Sequence, residues 1–255
     1  MKLHTFFLSA VLVSFSSINA FGTPIDDNCG HLTYRTAPVV KADQYICHTQ
    51  YAVAYSYQSK NPIYTTELLI AGHIGNIDRT DNFRVDPAIP KQYQSSPKDY
   101  VNSGTACNGS KCDRGHMTPA QDFSACEICM SESFFMTNMV PQNYKNNEII
   151  WAGLESKIRK YVMTHTAGVY VITGPVYQKK TPQKLLGKNN VWIPDQLFKV
   201  VIDATTGKSI AFMMPNAPET DLSLFVTNLI TIEKATGIKF DGKLDKKTIA
   251  NFNDW

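Results

Sequence analysis

Two short groups of residues in this chain have the types and spacing to do chemistry on a phosphate. The first is Asp113-Arg114-Gly115-His116-Met117-Thr118-Pro119-Ala120, a polar stretch that Gly115 and Pro119 keep from being a regular helix. An imidazole takes up and returns protons near neutral pH, so His116 is a candidate general base. Gly115 permits a close backbone approach, and the planar fork of Arg114 suits a phosphate. The second group is a stripe at four-residue intervals, Asn147, Trp151, Glu155 and Arg159, which a helix places on one side. Asn147 offers a neutral oxygen ligand, Glu155 a carboxylate and Arg159 a cation. Mg²⁺ keeps most of its water and needs only one or two protein oxygens beside the substrate phosphate. Each group is weak alone. A lone histidine is more often an ordinary core or surface residue, and a polar stripe is more often a solvated face, although Trp151 interrupts this one. Asn138 lies between the two groups.

The elements that must position these residues follow from periodicity. Residues 146–162 carry the strongest helical pattern, with Ile149, Ile150, Leu154, Ile158 and Tyr161 recurring near helical spacing and Asn143 or Asn146 available as a cap. Strands are expected over 50–57, 64–71, 169–172, 198–202 and 210–213, the last two joined by a turn at Thr205-Thr206-Gly207-Lys208. The 137–142 stretch reads as extended, 131–135 as a helical turn, and 222–235 as a helix stopped by Gly237. Residues 21–45 read as an exposed irregular segment. Residues 72–112, rich in Gly, Pro, Asn and Asp, form a long connection of the kind that carries function. Strands and helices are interspersed without a βαβ rhythm, so the expected class is α+β with a mainly antiparallel central sheet.

Bulk properties decide less. A net charge of +3 with 25 basic and 22 acidic residues permits a polyanionic partner without demanding one. Residues 1–20 read as a secretory signal peptide: Lys2, an apolar run over 6–15, then Ser16, Ser17 and Ala20. The run falls short of a membrane span, so the expected product is secreted or periplasmic, with residues 21–255 as one domain and no membrane anchor after cleavage. An export signal favours disulfides among the six cysteines; local pairing would give Cys29–Cys47, Cys107–Cys112 and Cys126–Cys129, but sequence alone does not fix the connectivity. The alternative is a structural zinc held by the last four.

Taken together in this order, Asp113-Arg114-Gly115-His116, Asn138-Met139-Val140-Pro141-Gln142 and Asn147-x3-Trp151-x3-Glu155 resemble the motifs of the DNA/RNA non-specific endonuclease family, which includes Serratia-type secreted nucleases and endonuclease G. The resemblance runs more loosely from Gln50 to Lys239. It implies a ββα-metal (His-Me finger) core that grips one Mg²⁺, with Mn²⁺ as a substitute. In that scheme His116 is the general base and Asn147 the direct metal ligand. Glu155 holds the ion's water shell, Asn138 helps to arrange the site, and Arg114 and Arg159 contact phosphate. It also implies attack by water rather than a 2′-hydroxyl, so that both DNA and RNA are substrates, and products with 5′-phosphate ends. The sequence departs from the family pattern at Asp81, where an arginine is expected before Asn82-Phe83-Arg84-Val85-Asp86-Pro87; either Arg84 or Arg79 substitutes, or that transition-state contact is missing. The cysteines between 107 and 129 have no counterpart in that pattern. Phosphate recognition would fall to Arg79, Arg84, Arg114, Lys145, Lys157 and Arg159. Two other readings remain open: a phosphodiesterase acting on small nucleotides, and a non-catalytic nucleic-acid binder that keeps the nuclease fold.

Overall fold

The structure is a computed structural model that describes residues 29–165, 167–179, 181 and 184–251; the expected signal peptide lies outside them. Its centre is a seven-stranded antiparallel sheet. The strands are β1 (Gln44–Cys47), β2 (Tyr51–Ser56), β3 (Asn61–Leu69), β6 (Val169–Val176), β9 (Gln196–Asp203), β10 (Ser209–Pro215) and β11 (Val226–Thr227), in the order β1-β2-β3-β6-β9-β10-β11. Between β3 and β6 the chain builds a separate two-stranded ribbon, β4 (Cys112–His116) and β5 (Met139–Asn143), with α1 (Glu127–Glu132) in the connection. A π-helical turn, Asn146–Trp151, then runs directly into α2 (Ala152–Val162). A small ribbon, β7 (Leu185–Leu186) with β8 (Val191–Trp192), precedes β9, and α3 (Leu229–Thr236) closes the fold. Among the described residues no helix is long and apolar enough to cross a membrane.

The central strands are buried on both faces, so they read as near-continuous apolar runs. On β9 the side chains alternate: Phe198, Val200 and Ile202 join one core, and Leu197 and Val201 the other. The first core is closed by α3 and by the segment that precedes β1. The second is closed by α2, with Ile150, Trp151, Leu154, Ile158 and Val162, and by Met117 and Val140 of the ribbon. The candidate site belongs to this second side.

Three expectations need correction. The segment before β1 is packed rather than exposed from Cys29 onward. Cys29, Leu32, Ala37 and Ala42 are buried, and its carbonyls are claimed by the sheet, with Tyr64 Oη donating to Pro38 O at 2.7 Å and Thr66 Oγ1 to Leu32 O at 2.8 Å. Its polar appearance hid the wide spacing of its apolar residues. The last helix starts at Leu229 rather than 222, because Asn228 Oδ1 accepts from Thr231 N and caps it there, while Val226 and Thr227 pair with β10. Strand β6 continues through Gly174 and Pro175 to Val176. Those two residues lie beyond the pairing with β3, and Gly174 is needed because a Cβ there would come within 2.8 Å of the Phe198 ring. The cysteines pair locally as three disulfides, with Cα separations of 5.9, 5.1 and 5.2 Å in chain order, which leaves no thiolates for the zinc alternative.

Candidate active site

The ribbon presents the histidine. His116 pairs with Met139 and Gly115 with Val140. At Gly115 the Gln142 side chain crosses so close that a Cβ would lie 2.6 Å from its Cβ, so glycine is the residue this crossing tolerates. Past His116 the chain is fixed by Asn138, which is fully buried. Asn138 Oδ1 accepts from Thr118 N at 2.9 Å, and its Nδ2 donates to Thr118 O and Ser133 O, both at 2.8 Å. Asn138 therefore arranges the site from behind, by holding backbone, and it does not line the cleft.

The His116 ring is half-buried between Phe83 and Phe134, with ring centroids 5.5 and 5.0 Å away. Its Nε2 is covered and has no hydrogen-bond partner among the described residues. Burial, reinforced by the positive charges of Arg79 and Arg114, lowers its pKa to about 3, against a smaller opposing pull from the Arg114 backbone. Burial and the two arginines thus favour the neutral imidazole over its protonated form.

The helix carries the two oxygen-bearing side chains, Asn147 and Glu155. Asn143 Oδ1 accepts from Lys145 N and Asn146 N and starts it. Asn146 does not cap but is buried, its Nδ2 donating to Pro215 O and Ala217 O at 3.1 Å, which pins the helix start to the end of β10. The expected stripe is divided. Asn147 and Glu155 face the cleft, Trp151 is core, and Arg159 turns under the cleft floor. Asn147 Nδ2 donates to Asp113 Oδ2 at 3.1 Å and Glu148 Oε1 at 3.2 Å. Carboxylates only accept, so these partners fix the amide's orientation. Its Oδ1 has no partner among the described residues. Burial pushes the Glu155 carboxyl up to about 7; Lys199 opposes this most strongly, Arg159 and Arg79 less, while Asp122 adds to the rise.

His116, Arg114, Asn147, Glu155, Asp113 and Arg79 line one cleft of about 1130 Å³. The structure separates the two arginines that were open for the missing position. Arg79 is in the cleft, its Nε donating to Asp81 Oδ1 at 2.7 Å in a pair that remains exposed. The substituted position, Asp81, is therefore what orients Arg79. Arg84 is not brought to the site. Phe83 faces the histidine, so its neighbour points the other way, donating to Ser131 O at 2.7 Å and lying 3.9 Å over Phe135. Arg159 is not brought to the cleft either: its Nη1 donates to Asp122 Oδ1 at 2.7 Å, because a carboxylate buried to 3% exposure requires a partner. Arg114 does reach the cleft, its guanidinium 3.9 Å over Phe83.

The sequence reading missed three buried charges beneath this cleft, Glu67 on β3, Asp122, and Lys199 on β9, which the partly exposed Arg159 joins. Thr65, Thr173 and Lys199 are neighbours across β3, β6 and β9. Burial pushes the Glu67 carboxyl well up, and Asp122 pushes the same way. The available signal was Lys199 alternating with the apolar Leu197 and Val201 on β9, and Glu67 followed by Leu68 and Leu69 on β3.

A sequence model of the DNA/RNA non-specific endonucleases matches residues 29–247. The chain is 31% identical over 222 residues to the mitochondrial nuclease EXOG of Danio rerio, an alignment that covers 80% of this chain and 62% of that protein. It therefore spans about three fifths of that relative's length. It is 30% identical over 228 residues to nuclease C1 of Cunninghamella echinulata var. echinulata, covering 82% of this chain and 87% of that one. Among solved structures, the EndoG/EndoGI complex has a chain that superposes with a TM-score of 0.73 at 26% identity, covering 83% of this chain and 90% of that one. The ribbon of β4 and β5 followed by α2 is the ββα-metal unit of such nucleases, and this chain belongs to the DNA/RNA non-specific endonuclease family.

Proposed function

We propose that this protein is an exported endonuclease that hydrolyses phosphodiester bonds of DNA and RNA without regard to sequence, using a divalent ion of the Mg²⁺ type and leaving 5′-phosphate ends. The observation that carries the reading is that a neutral imidazole, an unclaimed amide oxygen, a carboxylate and two guanidinium groups line the same open cleft. The residues fit the ion. Asn147 presents Oδ1 with its amide nitrogen tied back by two carboxylates, and Glu155 stands two turns along to receive the ion's waters. Among the described residues no cluster of three or more His, Cys, Asp or Glu is gathered to hold a metal. The donor set is therefore that of a hard, mostly hydrated cation, with Mn²⁺ as a substitute for Mg²⁺. When bound, such an ion supplies a Lewis acid for the phosphate oxygens.

The remaining work falls to side chains. His116 takes a proton from the water that attacks phosphorus, the bond to the 3′ oxygen breaks, and that oxygen takes up a proton from water in the open cleft and leaves as a 3′-hydroxyl. Arg79 and Arg114 neutralise the charge that builds on the phosphate. Because water is the nucleophile, the 2′ position is not needed, and contacts to phosphate carry no sequence information. Affinity should fall as salt rises. The test is incubation of the purified full chain with plasmid, with RNA and with a dinucleotide, each with Mg²⁺ and with EDTA. Metal-dependent loss of plasmid and RNA, with product ends that a 5′-phosphate-dependent ligase accepts, is the expected result. Cleavage confined to the dinucleotide, or cleavage undiminished by EDTA, overturns it.

A further inference from the structure

The reaction scheme gives no task to Lys199, the most deeply buried charged residue beneath the site. It stands at 0% exposure on β9, between Leu197 and Val201 on the side that faces α2. No carboxylate forms a contact ion pair with it among the described residues; Glu155, Glu67 and Asp122 act on it from further away. Burying an ammonium without a contact partner is costly, and an unbranched apolar side chain would fill the same space more cheaply. Its charge offsets the carboxylates of Glu155, Glu67 and Asp122, but without a contact pair that balance does not fix where the ammonium points.

Its contacts fix that direction. Nζ donates to Thr173 Oγ1 at 2.8 Å, which anchors it to β6. It also reaches Met117 O at 3.4 Å and lies 4.9 Å from the Trp151 ring. Met117 is the residue after His116. Trp151 lies midway between Asn147 and Glu155 on the helix that carries both. One rigid point on the sheet thus touches both halves of the site, the strand with the base and the helix with the oxygen ligands.

We propose that Lys199 is a positioning residue for the hydrolysis: from its anchor on β6 it holds the carbonyl that follows His116 and the indole between Asn147 and Glu155, and so sets the spacing between base and metal-binding helix. This rests on the hydrolytic reading above and adds to it the residue on which the site's alignment depends. A displacement of about 1 Å between reacting groups can cost on the order of 10² in rate, so a contact that moves neither substrate nor metal can still govern turnover.

The experiment compares wild type, Lys199→Met, Thr173→Val and the surface control Lys188→Met in the full chain. It measures melting, steady-state cleavage of plasmid with Mg²⁺, and the His116 imidazole resonances of the metal-free protein by NMR. Lys199→Met is expected to fold, to lose about tenfold or more in kcat with KM little changed, and to shift the His116 resonances, which Lys188→Met leaves in place. A folded Lys199→Met with wild-type kcat and unmoved His116 resonances overturns the proposal. If Lys199→Met does not fold, Thr173→Val decides, since it removes only the anchoring acceptor. A lowered kcat at unchanged melting temperature supports the proposal, and an unchanged kcat overturns it. Should wild type itself cleave neither DNA nor RNA, the hydrolytic reading fails, and the His116 resonances alone decide whether Lys199 positions the base.

Discussion

The cleft and the layer directly beneath it use the same kinds of residue to opposite ends. In the cleft, Arg79 pairs only with Asp81 at side-chain exposures of 44% and 62%, and the Asn147 oxygen and the His116 Nε2 have no partner among the described residues. Beneath it, Arg159 is committed to Asp122 at 2.7 Å, and Lys199 to Thr173 and Met117. An exposed ion pair is worth little and yields readily to a substrate phosphate. A buried one gains little net energy but is expensive to break. Depth, rather than residue type, thus separates the groups that line the cleft from the groups committed to partners beneath it. Helix α2 joins the two layers, with Glu155 above and Arg159 one turn further below.

The comparison breaks most visibly at its most distant points. His116→Ala removes the base without touching the layer beneath, and it should lower kcat by about 10²–10⁴ in a protein that still folds; plasmid cleavage near the wild-type rate would remove His116 from the mechanism. Asp122→Ala does the reverse. It strands Arg159 and should cost about 3–5 kcal/mol of stability, read as a shift of the urea midpoint. A variant as stable as wild type would show that the lower layer is not buried.

A finer cut uses arginines five residues apart. Arg79→Ala should lower kcat by about 10², more than it raises KM, because its contact is proposed to strengthen as charge builds on the phosphate. Arg84→Ala should leave turnover unchanged, since that guanidinium is spent on Ser131 O and the Phe135 face. Equal losses in the two variants would mean that the 79–84 segment rearranges when substrate binds.

This division by depth is what the sequence could not display. The antiparallel sheet, the helix that carries Asn147 and Glu155, and the non-helical stretch around His116 were legible, because helical and strand periodicity and the Gly115 and Pro119 breaks are local. The disulfide pairing was visible only as the local possibility beside a structural zinc, and the structure decides for three local bridges. The stripe Asn147, Trp151, Glu155, Arg159 was legible as a stripe, but not as a boundary that the cleft crosses between Glu155 and Arg159. The partner that draws Arg159 down, Asp122, lies 37 positions away in sequence. Arg79 and Arg84 were equivalent candidates until the direction of Phe83 was known. The buried charges went unread because Glu67 and Lys199 stand in strands where a charge ordinarily marks the solvent face, and only the layer packed over them shows that it does not.

The smallest effect sharpens the comparison through pH. His116 in the folded protein has its pKa lowered from 6.5 to about 3. The unfolded chain therefore binds more protons across that range, and the stability linked to this group is complete above about 6.5 and is lost as pH falls through about 3. Glu155 behaves oppositely: raised from 4.5 to about 7, it binds more protons when folded, and its contribution is complete below 4.5 and is lost as pH rises through about 7. In metal-free protein the two slopes oppose each other between 4.5 and 6.5, so urea midpoints measured in EDTA should be nearly flat there. Glu155→Gln should expose the His116 slope, with stability climbing from acid up to about 6.5; His116→Gln should expose the other, with stability declining from 4.5 to about 7. If neither variant changes the slope, the two groups are solvated like ordinary surface residues, and the cleft does not desolvate the side chains on which the proposed chemistry depends.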